Sequence, residues 1–301
     1  MSRSARTSQR PAERAPSGIV VVYKPGGVTS HDVVARVRRL AGTRKVGHAG
    51  TLDPIATGVL VVGVERATRL LGHLMLTEKA YDATIRLGVR TTTDDAEGEV
   101  VATTSADDLA AVTADAVRRE LGRFVGTISQ VPTAVSAIKV DGKRAYQRVR
   151  EGEQVELKAR EVTIHELEVV EVALPDVRIS VRCSSGTYIR AIARDLGEAL
   201  DVGGHLTALR RTAVGPFGLD RARTLEQLDE GFVLVPIAEA ARASFPSVDL
   251  TDQQAGHVRV GRRLDLDMGP GEHAVFAPDG EFLALYAADG DTARPVAVFV
   301  G

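Results

Sequence analysis

Apolar residues recur along this chain with different spacings, and each spacing predicts a different kind of element. Apolar and polar residues alternate over 81–87 and again over 177–183, which is the two-residue period of a half-buried strand. The short apolar stretch Ile19–Tyr23 and the uninterrupted run Val59–Val64 predict two further strands, the second of them buried. A sheet is therefore expected to be a main part of the fold.

Helices are predicted where apolar residues recur every three or four positions. Ser30 is expected to cap a helix that ends at Gly42. Ser105 and Asp108 resemble a capping box, which predicts the start of a helix that runs to about Leu121.

A strand, a tight turn and a helix follow one another in the second half of the chain. The strand at 177–183 leads into Ser184-Ser185-Gly186, and a helix with one apolar face follows. That face comprises Ile189, Ile192, Ala193, Leu196 and Leu200. Strands and helices are mixed without regular β-α-β repetition, which favours the α+β class over a doubly wound sheet.

Two later regions differ from this pattern. The segment 127–152 is polar and basic with little periodicity, so we predict a long functional loop there. After Phe245-Pro246 the pattern changes to short strands, which predicts a small β domain over 246–301 with a hairpin turn at Asp279-Gly280. The predicted strands are Val258–Leu266, Ala274–Phe276, Glu281–Tyr286 and Pro295–Val300.

Length and charge refine this outline. The 301 residues suit one large domain and a small one, and the net charge of −2 does not by itself indicate a nucleic-acid-binding protein. Local basic patches, however, attract phosphates more than the total charge suggests. Three clusters qualify: Arg36, Arg38, Arg39, Arg44 and Lys45; Lys139, Lys143, Arg144, Arg148 and Arg150; and Arg210 with Arg211.

The single cysteine, Cys183, excludes an intramolecular disulfide and suggests a reducing compartment. Residues 1–17 are basic and lack an apolar stretch, so we expect a flexible tail rather than a signal peptide. No segment approaches the roughly 18 apolar residues of a membrane span. We therefore expect a cytoplasmic protein.

One glycine-rich segment, Gly47–Gly58, holds a candidate reactive carboxylate. Pro54 keeps the preceding residue, Asp53, out of the helical region, so a loop is expected to present this side chain. An isolated Asp-Pro pair is most often only a turn. The spacing alone leaves both interpretations open.

Five segments, in order along the chain, resemble the motifs of the TruB-type tRNA pseudouridine synthases, and together they span about residues 18 to 215. The segment around Asp53 resembles the catalytic motif of that family. The segments are Val22–Ser30; Gly47–Leu70; Lys79–Tyr81 with Arg90–Gly98; Gln130–Pro132 through Ser136–Lys139; and Cys183–Arg190.

The resemblance implies a fold and an activity. The fold would be the α+β pseudouridine synthase fold, a mixed and largely antiparallel sheet flanked by helices, over residues 18–245, followed by a PUA-like β domain. The activity would be conversion of uridine 55 in the tRNA T-loop to pseudouridine, by an aspartate acting on a flipped-out uridine. No cofactor is expected, because this isomerisation involves no net redox change and gains or loses no group.

The resemblance also implies the catalytic residues. Asp53 would be the reacting carboxylate, Arg190 its cationic partner, and Tyr81 a catalytic residue that also stacks on the base. A cation is needed because burial alone would neutralise a carboxylate. Without the resemblance, Arg190 would be assigned to a solvent-facing side of its helix with Arg194 and Glu198.

Further substrate contacts are implied in the same way. Tyr81 and Tyr188 would stack on the base, Leu209 would line the uracil pocket, and His48 would fill the space of the flipped base or contact RNA. Lys24 would support the catalytic loop or bind a phosphate.

The expected partner is the T-arm of tRNA, bound in part by Lys139, Lys143 and Arg144; no metal, no membrane and no second subunit are expected. Three alternatives remain: a non-catalytic RNA-binding or tRNA-folding factor, a phosphotransferase with an aspartate nucleophile, and metal catalysis. A metal would require convergence of residues whose spacing matches no familiar ligand pattern, namely His31, Asp32, His48 and Asp53.

Overall fold

The computed structural model describes residues 16–133, 139–140, 143–144 and 157–300, and only the backbone at 139–140 and 143–144. The expected flexible tail at 1–17 lies almost entirely outside the described residues. The same holds for the side chains of Lys139, Lys143 and Arg144.

The predicted sheet is the centre of the fold. The strands are β1 (Gly18–Lys24), β2 (Val46–Ala49), β3 (Thr57–Val64), β4 (Lys79–Leu87), β5 (Val89–Thr91), β6 (Val100–Thr103), β7 (Gly126–Gln130), β8 (Lys139–Val140), β9 (Lys143–Arg144), β10 (Arg160–Ala173), β11 (Asp176–Cys183), β12 (Gly204–Val214), β13 (Phe217–Gly218), β14 (Val235–Pro236), β15 (Ser247–Asp249), β16 (Glu272–Phe276), β17 (Phe282–Asp289) and β18 (Thr292–Val298). Ten of them form one sheet in the order β14-β1-β3-β12-β4-β11-β10-β7, with β2 beside β3 and β13 beside β12.

This large sheet is mixed and mostly antiparallel, as expected. The pairing of β3 with β12 is parallel and aligns Arg211 with Gly58. The other strand pairs of this sheet are antiparallel. The alternating segments 81–87 and 177–183 are the neighbouring strands β4 and β11, and Val59–Val64 lies within β3. These strand predictions are confirmed.

Helices flank the sheet. They are α1 (Ser30–Ala41), α2 (Leu71–Leu74), α3 (Ala106–Ala110), α4 (Ala114–Gly122), α5 (Ile189–Ala199), α6 (Leu225–Glu230), α7 (Ile237–Ser244) and α8 (Asp252–Arg259), with a 3₁₀ helix at Glu65–Arg69. The predicted apolar face of α5 packs on β12 and β4, where Ile192 and Leu196 are fully buried. This packing fixes the start of α5 against the sheet.

The predicted cap of α1 is wrong by one residue. Thr29 caps the helix: its hydroxyl accepts from the Asp32 N–H, and the Asp32 carboxylate accepts from the Thr29 N–H. Ser30 is instead the first helical residue, and Gly42 ends the helix in the left-handed region at φ 63°, as predicted. Threonine in extended backbone, like serine, accepts a hydrogen bond from a free N–H group of the first turn.

The single helix predicted from Ser105 to Leu121 is two helices. Ser105 caps α3 by accepting from the Asp108 N–H at 3.1 Å. The chain then leaves the helix, and Thr113 caps α4 by accepting from the Ala116 N–H at 3.2 Å. A second good capping residue inside the apolar pattern therefore restarts the helix.

The predicted loop at 127–152 begins as a strand. Residues 126–130 form β7 and pair with β10 at the edge of the sheet. Further on, β8 and β9 pair with each other through Lys139 with Arg144 and Val140 with Lys143. Short edge strands carry too little alternation to be seen in the sequence.

The C-terminal region forms its own four-stranded sheet, in the order β15-β16-β17-β18. Strands occur near three of the four predicted positions, but the predicted strand Val258–Leu266 is wrong, because α8 extends to Arg259 under a capping box of Thr251 and Gln254. The small sheet shares an apolar core with the large one, in which Phe276 and Phe282 belong to the same cluster as Val21. The boundary at 245/246 stays a prediction.

Gly58, where β3 meets β12, gives a stability prediction. Its φ is +97°, and an added Cβ would lie 2.1 Å from the Arg211 carbonyl oxygen. Gly58→Ala is therefore expected to lower the free energy of unfolding by at least about 1–3 kcal/mol, since it adds both strain and a backbone clash. Urea unfolding measures this change.

The matched control is Gly256→Ala in α8, where nothing lies within 4 Å of an added Cβ. It is expected to be neutral or to stabilise by about 0.5–1 kcal/mol. Equal unfolding free energies for wild type and Gly58→Ala would contradict the argument.

Candidate active site

The loop between β2 and β3 presents Asp53, and Ser30 anchors it. The Ser30 hydroxyl accepts from the Leu52 N–H at 2.9 Å and donates to the Leu52 carbonyl at 3.1 Å. The Asp53 carbonyl accepts from the Ala56 N–H at 3.1 Å, which closes a turn around Pro54. The loop is thus a fixed turn, as the sequence predicted.

Lys24 supports the same loop from below. Its ammonium donates to the carbonyls of Pro25, Val28 and Pro54 at 2.9, 2.7 and 3.2 Å. Burial lowers the pKa of Lys24 to about 8, while the nearby Asp53 carboxylate acts in the opposite direction. Of the two roles expected for Lys24, these contacts match support of the loop rather than binding of a phosphate.

Arg190, at the start of α5, forms an ion pair with Asp53. Its Nη2 lies 3.0 Å from the Asp53 carboxylate, and Nη1 lies 3.2 Å from Asp95 and donates to the Thr93 carbonyl at 2.9 Å. The Arg190 side chain is 7% exposed, so its assignment to a solvent-facing helix side is excluded.

Three neighbouring influences act on the pKa of the Asp53 carboxyl group, in opposite directions. Burial raises its pKa, Arg190 opposes this rise, and the negative charge of Asp95 adds to it. Arg190 therefore favours the ionised form, which is the function that the sequence required of a cationic partner. Asp95 in turn fixes the guanidinium from its other side.

A cavity of about 330 Å³ opens above these residues, within the size range of small-ligand sites. Five of the residues expected at the site line it: Asp53, Tyr81, Tyr188, Arg190 and Leu209. These residues are far apart in the sequence, so their meeting at one cavity is consistent with a common site.

The two tyrosines line the cavity in different ways. Tyr81 lies on β4 and is buried; burial raises the pKa of its hydroxyl, and Arg211 opposes that rise. Tyr188 precedes α5, and the Gln130 side chain accepts from its N–H at 2.8 Å and donates to its carbonyl at 3.1 Å. Gln130 thus fixes the backbone of a cavity residue from the end of β7.

His48 and Lys24 do not line this cavity. His48 lies on β2, where its ring meets that of His31 edge to face, with centroids 5.7 Å apart. Its expected contact with RNA stays a prediction.

The interpretation of Arg211 as part of a basic patch is wrong. Arg210 is exposed, whereas Arg211 is 1% exposed and donates to the carbonyls of Val59 and Gly50 at 2.7 and 3.0 Å. Successive residues of a strand point to opposite faces, so one arginine of an adjacent pair can be buried while the other is solvated.

Sequence reasoning also missed Lys79, Asp95 and Gln130 as members of the site. Each lies within a segment that carried the family resemblance, and this was the available signal. Lys79 lines the cavity and donates to the Met75 and Thr77 carbonyls at 2.8 and 2.7 Å; burial lowers its pKa to about 8.

The described part of the chain shows neither a cluster of metal ligands nor a membrane-spanning helix. No three His, Cys, Asp or Glu side chains there are grouped so as to hold a metal ion. None of the described helices has the length and apolarity needed to cross a membrane.

The chain matches three family models in succession. Residues 38–189 match the model described as "TruB family pseudouridylate synthase (N terminal domain)". Residues 190–240 match "tRNA pseudouridylate synthase B C-terminal domain", and residues 245–300 match "tRNA Pseudouridine synthase II, C terminal". The chain that matches these models folds into a mixed sheet, and the Asp53 loop connects two of its strands. This is the pseudouridine synthase fold.

Individual proteins agree with the models. A protein of Arthrobacter sp. named "tRNA pseudouridine synthase B" is 57% identical over 298 residues, covering 94% of this chain and 96% of that protein. One of the same name from Streptomyces griseus is 56% identical over 294 residues, covering 94% and 97%. The chain belongs to the TruB family of pseudouridylate synthases.

A solved structure shares the fold at lower identity. It is described as an H/ACA RNP bound to a substrate RNA containing 2'-deoxyuridine. The alignment has 26% identity and a TM-score of 0.72, and it covers 97% of this chain and 88% of that one.

The contacts of Lys24 predict both a stability loss and its pH dependence. Lys24→Met leaves buried carbonyls without their donor, so the free energy of unfolding should fall by about 1–3 kcal/mol. Because the pKa of Lys24 is lowered to about 8 in the folded chain, the unfolded chain holds a proton that the folded chain has released above that pH. Wild-type stability therefore gains this contribution as pH rises, and the gap between wild type and variant should widen from pH 8 towards 10.

Urea unfolding across that pH range measures the gap. Lys45→Met is the control, because the Lys45 side chain is 77% exposed. A gap for Lys24→Met that stays constant with pH would contradict the assigned environment.

Proposed function

We propose that this chain is a tRNA pseudouridine synthase that isomerises uridine 55 in the T-loop. The observation that carries the proposal is the ion pair of Asp53 with the buried Arg190 at the base of a cavity lined by Tyr81 and Leu209. The names of the 52–57% identical relatives support tRNA pseudouridine formation. Position 55 rests on the motif resemblance.

The reaction requires few groups. The bond from uracil N1 to C1' breaks, the base turns, a C5 to C1' bond forms, C5 loses a proton and N1 gains one. An ionised aspartate can begin this as a nucleophile on the base or the sugar, or as a base at C2'. Arg190 keeps the carboxylate of Asp53 available for each of these routes.

The cavity suits a flipped-out base better than a stacked one. A uridine within a folded loop cannot reach a recessed carboxylate, so it must leave its stack and enter the cavity. Tyr81 and Leu209 offer apolar surface there, and base–aromatic stacking contributes about 1–3 kcal/mol per base. His48, outside the cavity, is proposed to occupy the space that the base leaves or to contact the RNA.

RNA binding is proposed to extend beyond the cavity. The hairpin of β8 and β9 carries Lys139, Lys143 and Arg144, whose charges would attract the phosphates of the T-arm. Tyr188 would contact the RNA at the cavity wall. We propose a monomer that acts in the cytoplasm on tRNA, without a metal or cofactor.

A folding factor without catalysis would not need the Asp53–Arg190 pair. Purified wild type and Asp53→Asn, incubated with unmodified tRNA transcript without added metal, separate the two functions. Wild type should form pseudouridine at the T-loop uridine, mapped by its base-specific chemical adduct. Asp53→Asn should form none, because it lacks the reacting carboxylate, while its tRNA affinity stays within about threefold, because the stacking and basic surfaces remain.

Product from Asp53→Asn at a near-normal rate would refute the assignment of Asp53. Tight binding without product from wild type would refute the enzyme and favour the RNA-folding factor.

The basic hairpin gives a separate prediction. Replacing Lys139, Lys143 and Arg144 with glutamine should weaken tRNA binding and flatten its salt dependence, by up to about 0.7–0.9 in slope for each phosphate that the variant no longer neutralises. Affinity measured at several salt concentrations gives the slope. The matched control neutralises Arg86, Arg118 and Arg178, three exposed arginines outside the hairpin.

Equal slopes for the hairpin variant and wild type would remove the hairpin from the interface. A slope change of the same size in the control would show that only total charge matters.

A further inference from the structure

Arg211 is a buried cation that the proposed mechanism does not use. Among the residues that the structure describes, no carboxylate forms an ion pair with it, and its guanidinium donates to the carbonyls of Val59 and Gly50. Burying a guanidinium costs free energy that an apolar side chain of similar volume would avoid. A positive charge that is buried at this cost is expected to have a function.

The two carbonyls bound by Arg211 bracket the catalytic loop. Gly50 lies at its start and Val59 just after its end, with Asp53 between them. A guanidinium is planar and presents its donors in a fixed fork, so donating to both carbonyls fixes the distance between the two loop ends. Arg211 therefore holds the base of the loop at one width.

Arg211 also meets Tyr81. The two residues are cross-strand partners on β12 and β4, and both line the cavity. The positive charge of the guanidinium lowers the pKa of the Tyr81 hydroxyl against the effect of burial, as expected for neighbouring side chains on one face of the sheet. When the oxygen accepts from Arg211, the single hydroxyl proton is left for a different partner.

We propose that Arg211 is a positioning residue that couples the Asp53 loop to the Tyr81 hydroxyl, so that the phenol proton faces the base held at Asp53. The proposal rests on the proposed function. It assigns Arg211 to the reaction geometry and Arg210, the adjacent exposed arginine, to the opposite face of the sheet.

The position of Arg210 supports this division. Its guanidinium carbon lies 5.8 Å from the ring centroid of Tyr23, on the exposed side of the strand. Two arginines adjacent in sequence thus differ in burial and in contacts. Arg210→Gln and Arg211→Gln are a matched pair of variants with the same change in charge.

The first experiment compares kcat and KM for unmodified tRNA. Arg211→Gln should lower kcat by about tenfold or more with KM within about threefold, because a misplaced phenol affects the reacting geometry more than RNA binding. Arg211→Lys should recover part of kcat, since an ammonium can still donate to a loop carbonyl. Arg210→Gln removes an exposed charge from the predicted basic cluster, so its effect should fall on KM rather than on kcat.

A double-mutant cycle separates positioning from structural support. In a Tyr81→Phe background, Arg211→Gln should cost much less in kcat than it does in wild type, because the hydroxyl that it orients is gone. Additive losses in kcat would overturn the coupling and leave Arg211 as a structural residue. Unfolding midpoints of all four proteins check that each is folded at the assay temperature.

A spectroscopic measurement tests the same contact without activity. The chain has five tyrosines, so NMR titration of protein labelled at tyrosine Cζ can follow each one, with Tyr81→Phe assigning its signal. Arg211→Gln should move the Tyr81 titration to higher pH, and Arg210→Gln should not. An unmoved Tyr81 titration would overturn the inference even if wild type makes pseudouridine, whereas a wild type without product would overturn only the proposed function.

Discussion

The site depends on one constraint: a carboxylate must stay ionised in a recess from which much of the water is excluded. Burial raises the pKa of Asp53, and the ion pair with Arg190 offsets part of that rise. Asp95 and the Thr93 carbonyl help to hold the Arg190 guanidinium in place for this contact. A cation with free rotamers would lose much of this advantage to side-chain entropy.

Cations from separate parts of the sequence share the task of shaping the loop. Lys24 comes from the end of β1 and Arg211 from β12, and each donates to backbone carbonyls of the loop or of its ends. Arg190, from α5, contacts the Asp53 carboxylate itself. Backbone carbonyls accept hydrogen bonds from a cation without neutralising its charge, so Lys24 and Arg211 keep their positive charges near Asp53. In an ion pair on the surface, by contrast, the two charges largely cancel.

The sequence allowed the strand with Tyr81, the helix with Arg190 and the loop with Asp53 to be predicted, because periodicity and the Asp-Pro pair are local signals. It did not reveal the contact between Arg211 and Gly50, which are 161 positions apart, since adjacent arginines look alike until the sheet assigns their faces. The prediction that Ser30 caps α1 was wrong for a related reason. The Ser30 hydroxyl anchors the Asp53 loop, and Thr29 caps the helix. Roles that depend on tertiary contacts were therefore missed even where the element was predicted.

The network is buried to unequal depths, and this asymmetry has a chemical consequence. The Arg190 side chain is 7% exposed and Asp95 only 3%, whereas Asp53 is 38% exposed to the cavity. Before a base binds, water can solvate the carboxylate on its cavity side. On the proposed function, a base that enters would displace that water, and the attraction between Arg190 and Asp53 would strengthen as the local dielectric falls. The carboxylate would thus lose mobile water while its fixed cation stays in place, with no movement of the supporting residues required.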